Sequence, residues 1–197
     1  MKKRILVISK GLFHPSLACR AELKNTLNEY SDSFDFIYSN KLTGIERLKE
    51  DTFSGIILFF HEKELKEYLL GILNVFIARG GHIFAIHGAM ASFKTNKEYQ
   101  ELLGGKFIAH GEIGKFTVSN GSTSFEVYDE LYIHEYDASN KILLTSDYLG
   151  KPEPVMWIKD KVTYLSLGHC PSTFRNPEVK EVIYGVLDSI KGNEGAL

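Results

Sequence analysis

Short apolar blocks bounded by polar or glycine-bearing segments punctuate the first half of the chain, at residues 5–8, 34–38, 55–60 and 83–86. Compact runs of this kind read as strands, the most apolar of them covered on both faces. Between the blocks, apolar residues recur at helical spacing. Leu17, Leu23 and Leu27 mark one helix over 16–30, with Ser16 as its cap, and Leu65, Leu69, Leu73, Phe76 and Ile77 mark another over 64–79. A polar segment over 44–50 reads as a shorter helix. Gly80 and Gly81 end the second long helix, where a left-handed backbone is needed. The resulting βαβαβαβ order predicts a parallel sheet with helices on both faces.

The pattern changes after His87. Thr95, Asn96, Lys97 and Glu98 form a capping-box signature opening a helix through Leu103. Extended segments follow from Gly104 to His110, over 115–119, and over 124–128, the last two joined through Asn120-Gly121, a hairpin signal. Further strands are expected over 142–145, 154–158 and 162–166, the last pair joined by a tight polar turn at Lys159-Asp160-Lys161. Asn176-Pro177 opens a closing helix with Val179, Val182, Ile183, Val186 and Leu187 on one face. The tail from Gly192 to Leu197 is expected to fray.

At 197 residues, the chain reads as one domain over 1–197, with a single sizeable core. A net charge of -2 gives no footprint for nucleic acid or an anionic membrane surface. Cys19 and Cys170 alone make no disulfide framework. The basic start Met1-Lys2-Lys3-Arg4 precedes an apolar run too short for a signal core, and no later run reaches membrane-spanning length. A cytoplasmic location is the expectation.

The chemistry concentrates in histidines. His14, His61, His87 and His169 each follow a strand, and ligands of open α/β sheets sit beyond the carboxyl ends of strands. His14, His87 and His169 are the first candidates for a shared pocket, with His110 a looser one. A single histidine after a strand is commonly a hydrogen-bonded loop residue; three on one sheet edge suit a metal such as zinc or proton transfer near neutral pH. No HxH or HExxH spacing is present, so the grouping rests on folding. His61 reads as a polar helix cap, His82 as structural and His134 as a solvated surface residue. Strand alternation over Asp129-Glu130-Leu131-Tyr132 puts Glu130 and Tyr132 on one face and Asp129 on the other. Glu130 then serves as acid, base or metal ligand if that face meets the histidines. Trp157 reads as core. A nucleophilic Cys170 or Ser92 is disfavoured: Cys170 diverges from its neighbour His169, and Ser92 lies past the crest of the turn at His87.

Five segments occur in a telling order: Gly80-Gly81 with Ala85-Ile86-His87-Gly88-Ala89; Leu103-Gly104-Gly105-Lys106-Phe107 with His110; Asp129-Glu130-Leu131-Tyr132; Pro154-Val155-Met156-Trp157; and Leu167-Gly168-His169. Together they resemble the ThuA-like (trehalose-utilisation) family, a branch of the class I glutamine amidotransferase-like superfamily. The resemblance implies a flavodoxin-like three-layer α/β sandwich with a mostly parallel central sheet and an antiparallel extension. The superfamily's elbow cysteine is matched here by His87, so glutamine hydrolysis through a thioester is not expected. The family pattern His-Ser-Ala at the elbow is His87-Gly88-Ala89 here, and His-Pro after the paired glycines is His110-Gly111.

What the resemblance implies is an enzyme of trehalose-type disaccharide use acting on a sugar or keto-sugar. His87, Glu130 and His169 would handle protons, and His14, Gly88 and Tyr132 would contact substrate. Zinc or another divalent transition metal on His14, His87 and His169 is compatible with this reading. The partner is then a small sugar-like ligand, with no nucleic acid or membrane, and a homo-oligomer is left open. The alternative is an amidotransferase-like domain that has lost catalysis and only binds a small molecule or partner protein.

Overall fold

The computed structural model describes residues 2–12, 14–50 and 52–192. The expected fraying of the tail falls on residues 193–197, outside the described residues. The strands, in chain order, are β1 (Lys3–Lys10), β2 (Phe34–Ser39), β3 (Phe53–Phe60), β4 (His82–Ile86), β5 (Gly105–His110), β6 (Gly114–Ser119), β7 (Ser124–Asp129), β8 (Tyr132–Tyr136), β9 (Lys141–Tyr148), β10 (Lys151–Lys159) and β11 (Val162–Leu165). The α-helices are α1 (Leu17–Glu29), α2 (Glu67–Ala78), α3 (Lys97–Leu103), α4 (Pro171–Arg175) and α5 (Pro177–Lys191).

The main sheet runs β2-β1-β3-β4-β11-β10-β9-β6-β7. Its first five strands pair in parallel, and β10, β9, β6 and β7 extend it antiparallel. The order of the parallel part is that of flavodoxin-like folds, with the change of direction between β1 and β3. A separate ribbon pairs β5 with β8, His110 opposite Tyr132.

Strand alternation sorts the central residues into two cores. Ile5, Val7, Ile57, Phe59, Phe84 and Ile86 pack against α1, α4 and α5 through Leu23, Leu27, Phe174, Val179 and Ile183. Leu6, Ile8, Ile56, Leu58, Ile83 and Ala85 pack against α2, α3 and a 3-10 helix over Leu42–Lys49. Both faces are covered, which explains the unbroken apolar runs. Each buried Val, Leu, Ile or Phe among them contributes roughly 1.5–3 kcal/mol.

Capping residues set the helix ends. Ser16 accepts the amide of Cys19 at 3.1 Å, and Asn176 accepts those of Glu178 and Val179, with Pro177 at the first helical position. Asn96 rather than Thr95 caps α3, accepting the amide of Tyr99 at 3.0 Å. After α2, the amide of Gly81 reaches the carbonyl of Phe76 and that of Gly80 reaches Ile77, a Schellman ending with Gly80 at φ 95°. A side chain at Gly81 would collide with the Phe76 ring. The helix expected from residue 64 begins at Glu67, and the polar helix over 44–50 takes the tighter 3-10 form.

Candidate functional site

The parallel strands deliver their carboxyl ends to one edge. His14 follows β1, His61 follows β3, His87 follows β4, and His169 follows β11. The side chains of His14, His87 and His169 meet there, one nitrogen of each lying within 4.8 Å of the others. Their ring centroids stand 5.0 to 5.5 Å apart. Glu130, on the link between β7 and β8, reaches the same point. Its Oε2 lies 2.9 Å from His169 Nδ1 and 3.8 Å from His87 Nε2, and its Oε1 lies 3.6 Å from His110 Nδ1. Tyr132 joins through its hydroxyl, 3.3 Å from His14 Nε2.

His87 is the pivot. It is fully buried and holds φ at 46°, a left-handed backbone unusual for a residue with a β-carbon. Strain of this kind persists where surrounding contacts over-determine it. Its Nδ1 lies 2.7 Å from the carbonyl of Ser166, which accepts only, so Nδ1 carries the proton. Nε2 is then a bare lone pair, buried and without a hydrogen-bond partner. His169 Nδ1 is equally unpartnered: Glu130 is at ion-pair distance but outside hydrogen-bond geometry. Two orphaned buried nitrogens facing one carboxylate oxygen fit a cation. A backbone carbonyl fixing the outer nitrogen is also the usual support of a metal-binding histidine. Burial, then the neighbouring histidines, hold His14 down at about 4 and His87 well below its ordinary value, so both are neutral near pH 7. The three imidazoles of His14, His87 and His169 are a donor set that suits zinc and similar divalent metals.

Asp129 holds the histidine loop. It is fully buried, and its carboxylate accepts the amides of Gly168, His169 and Glu130 and the hydroxyl of Thr173. The strand breaks after Asp129, yet Glu130 and Tyr132 still share the pocket side and Asp129 turns away. Gly88 lies beneath His14 rather than facing the cleft. A β-carbon there would sit 2.8 Å from the Phe60 carbonyl and 3.3 Å from the His14 ring. Ser92 is committed to the turn, donating to the Gly88 carbonyl at 2.8 Å and accepting from the Glu62 amide at 3.0 Å. Burial pushes the Cys170 thiol up to about 11, opposite to an activated nucleophile.

The cluster opens into a cleft of about 550 Å³ lined by His14, His61, Lys94, Phe107, His110, Glu130, Tyr132 and His169, among others. The β5–β8 ribbon supplies its far wall. His61 caps no helix; its ring stands edge-on to His14 at 5.0 Å. His82 lies at the opposite end of β4, as expected. His134 is not solvated. It is buried, with Nδ1 3.0 Å from Glu153 Oε1 and Nε2 3.2 Å from the Tyr164 hydroxyl, which in turn lies 3.4 Å from the His87 carbonyl. Trp157 is core, donating to the Leu103 carbonyl at 2.9 Å.

The ThuA family, described as trehalose utilisation, matches residues 4–188. Among solved structures, a ThuA-like protein from Bacteroides uniformis superposes with a TM-score of 0.82 at 14% identity, covering 99% of this chain and 93% of that one. A second ThuA-like protein, from Parabacteroides merdae, gives 0.71 at 16% identity over 86% of this chain and 81% of its own. A GMP synthase subunit from Thermoplasma acidophilum gives 0.64 at 12% identity, covering 98% and 96%. No curated protein matches the sequence. At these identities the structural likenesses speak for a shared glutamine amidotransferase-like fold. With the family match spanning nearly the whole length, the chain belongs to the ThuA, or trehalose-utilisation, family.

Proposed function

We propose that this protein is an enzyme acting on a sugar or keto-sugar in trehalose-type carbohydrate use, with a divalent transition metal held by His14, His87 and His169. The observation that carries the reading is the buried, unpartnered Nε2 of His87, aimed at Glu130 between two further imidazoles. Complete burial suits His87 to hold a metal more than to exchange protons with substrate. The metal would supply Lewis-acid polarisation of a bound oxygen.

The chain's own groups supply the rest. Glu130 takes or returns a proton at the substrate carbon or hydroxyl nearest its Oε1, the oxygen turned toward His110. Burial raises the Tyr132 phenol, so its hydroxyl stays protonated and orients a substrate oxygen beside His14. Phe107 gives an apolar wall for the carbon face of a sugar ring, and His110 closes the mouth.

The test is turnover. Protein loaded with zinc, manganese or cobalt is incubated with a keto-disaccharide and with trehalose, and products are read by mass spectrometry. The expected result is metal-dependent conversion, lowered about 10²–10⁴-fold in kcat by Glu130→Gln with KM little changed. Sugar binding without conversion by any loaded form would contradict the enzyme reading and favour a binding domain.

A further inference from the structure

Lys94 stands over the cleft because of the backbone before it. Phe93 holds φ at 51°, a left-handed conformation at a buried aromatic residue, packed on Phe60 and Tyr99. Its amide is tied to the Glu62 carbonyl at 3.0 Å and its carbonyl to the Asn96 amide at 2.8 Å. This fixed turn sends Lys94 across the face of Phe107, its Nζ 4.9 Å from the ring centroid. The lysine lines the cleft with His61 and His110, and no ion pair engages it among the described residues. Of the carboxylates on this side, Glu62 pairs with Lys10, and Glu130 turns its oxygens toward His169 and His110. An exposed ammonium without a counter-charge, on a cleft that His61 and His110 also line, is a ready site for an oxyanion.

Resting on the reading that the cleft takes a sugar, we propose that Lys94, flanked by His61 and His110, binds an anionic group on that sugar. Within that reading, the substrate class narrows to a sugar that bears a carboxylate or a phosphate. A carboxylate and a phosphate share the oxyanion chemistry, and the probes separate them.

Binding is measured by titration calorimetry on metal-free protein, so the outcome does not depend on turnover or on the metal. The probes are glucuronate, glucose 6-phosphate, glucose and trehalose. At least one anionic probe should bind about tenfold or more tighter than glucose, with an affinity that falls as salt rises. Lys94→Ala should remove that advantage, and Lys94→Arg should restore it. Which anionic probe gains identifies carboxylate or phosphate. Equal affinity for neutral and anionic sugars, equal loss of all probes in Lys94→Ala, or no binding of either anionic probe overturns the proposal. Metal-dependent turnover of a neutral keto-sugar would survive each of these results.

Discussion

The carboxylate of Asp129 accepts the backbone amide of His169 at 2.9 Å, and its other oxygen accepts that of Gly168 at 2.8 Å. One buried side chain on the antiparallel extension thus fixes a loop that leaves the parallel sheet. Replacing it with alanine leaves several buried donors without an acceptor. Asp129→Ala should cost about 3–5 kcal/mol in chemical denaturation and loosen His169. Asp129→Asn, which keeps one acceptor oxygen, should cost less.

Gly88 makes room for His14. With the Phe60 carbonyl 2.8 Å and the His14 ring 3.3 Å from where a β-carbon would stand, Gly88→Ala must push one of them aside. The backbone carbonyl is the less movable, so His14 shifts. The expected cost is about 1–3 kcal/mol in stability, with a weaker metal affinity. Equilibrium unfolding and a competitive metal titration measure the two separately.

His134 bridges Glu153 and Tyr164 in the core, with its ring 5.1 Å edge-on to Trp157. His134→Ala removes the bridge, leaves a cavity and strands a carboxylate whose side chain is only 12% exposed. A loss of about 3–5 kcal/mol is expected in urea denaturation. His134 lies outside the cleft lining, so ligand affinity measured well below the melting range should be retained.

Acid should destabilise the metal-free protein. Burial first, then neighbouring histidines, lower His14 to about 4 from an unfolded value of 6.5, and the same causes hold His87 well below its unfolded value. Between those values the unfolded chain binds more protons than the folded one, so stability rises with pH and is lost as pH falls from 6.5 toward 4. His61, His82 and His134 are also lowered, chiefly by burial, and carry the same sign. Thermal midpoints should be nearly level from pH 7 to 8 and drop below 6.5. The drop should be shallower in His14→Gln. Bound zinc should raise the midpoint at pH 7 and lose that effect in acid, where protons compete for the nitrogens.

The parallel sheet is legible in the sequence because its strands are buried on both faces and its helices carry caps and apolar stripes. Placing His14, His87 and His169 at strand ends is enough to group them, since such a sheet gathers its carboxyl ends at one edge. His134 reads as surface because its neighbours Glu135 and Asp137 are charged; Glu153, the partner that holds it in the core, comes from a distant strand. The role of Asp129 is equally hidden: alternation shows that it points away from the pocket, but not that the Gly168 loop waits there. Helix α4, five residues long, has no periodicity to read. Lys94 is placed by an unusual backbone angle at Phe93, which no propensity signals.

Whether His14, His87 and His169 hold a metal is read from the metal content of purified protein, by mass spectrometry after supply of zinc, manganese or cobalt. Near-stoichiometric metal is expected in the wild type, and its loss in both His87→Ala and His169→Ala, with the variants still folded by circular dichroism. A wild type that takes up no metal, or a His87→Ala variant that holds it as tightly, would rule out a metal site on these histidines.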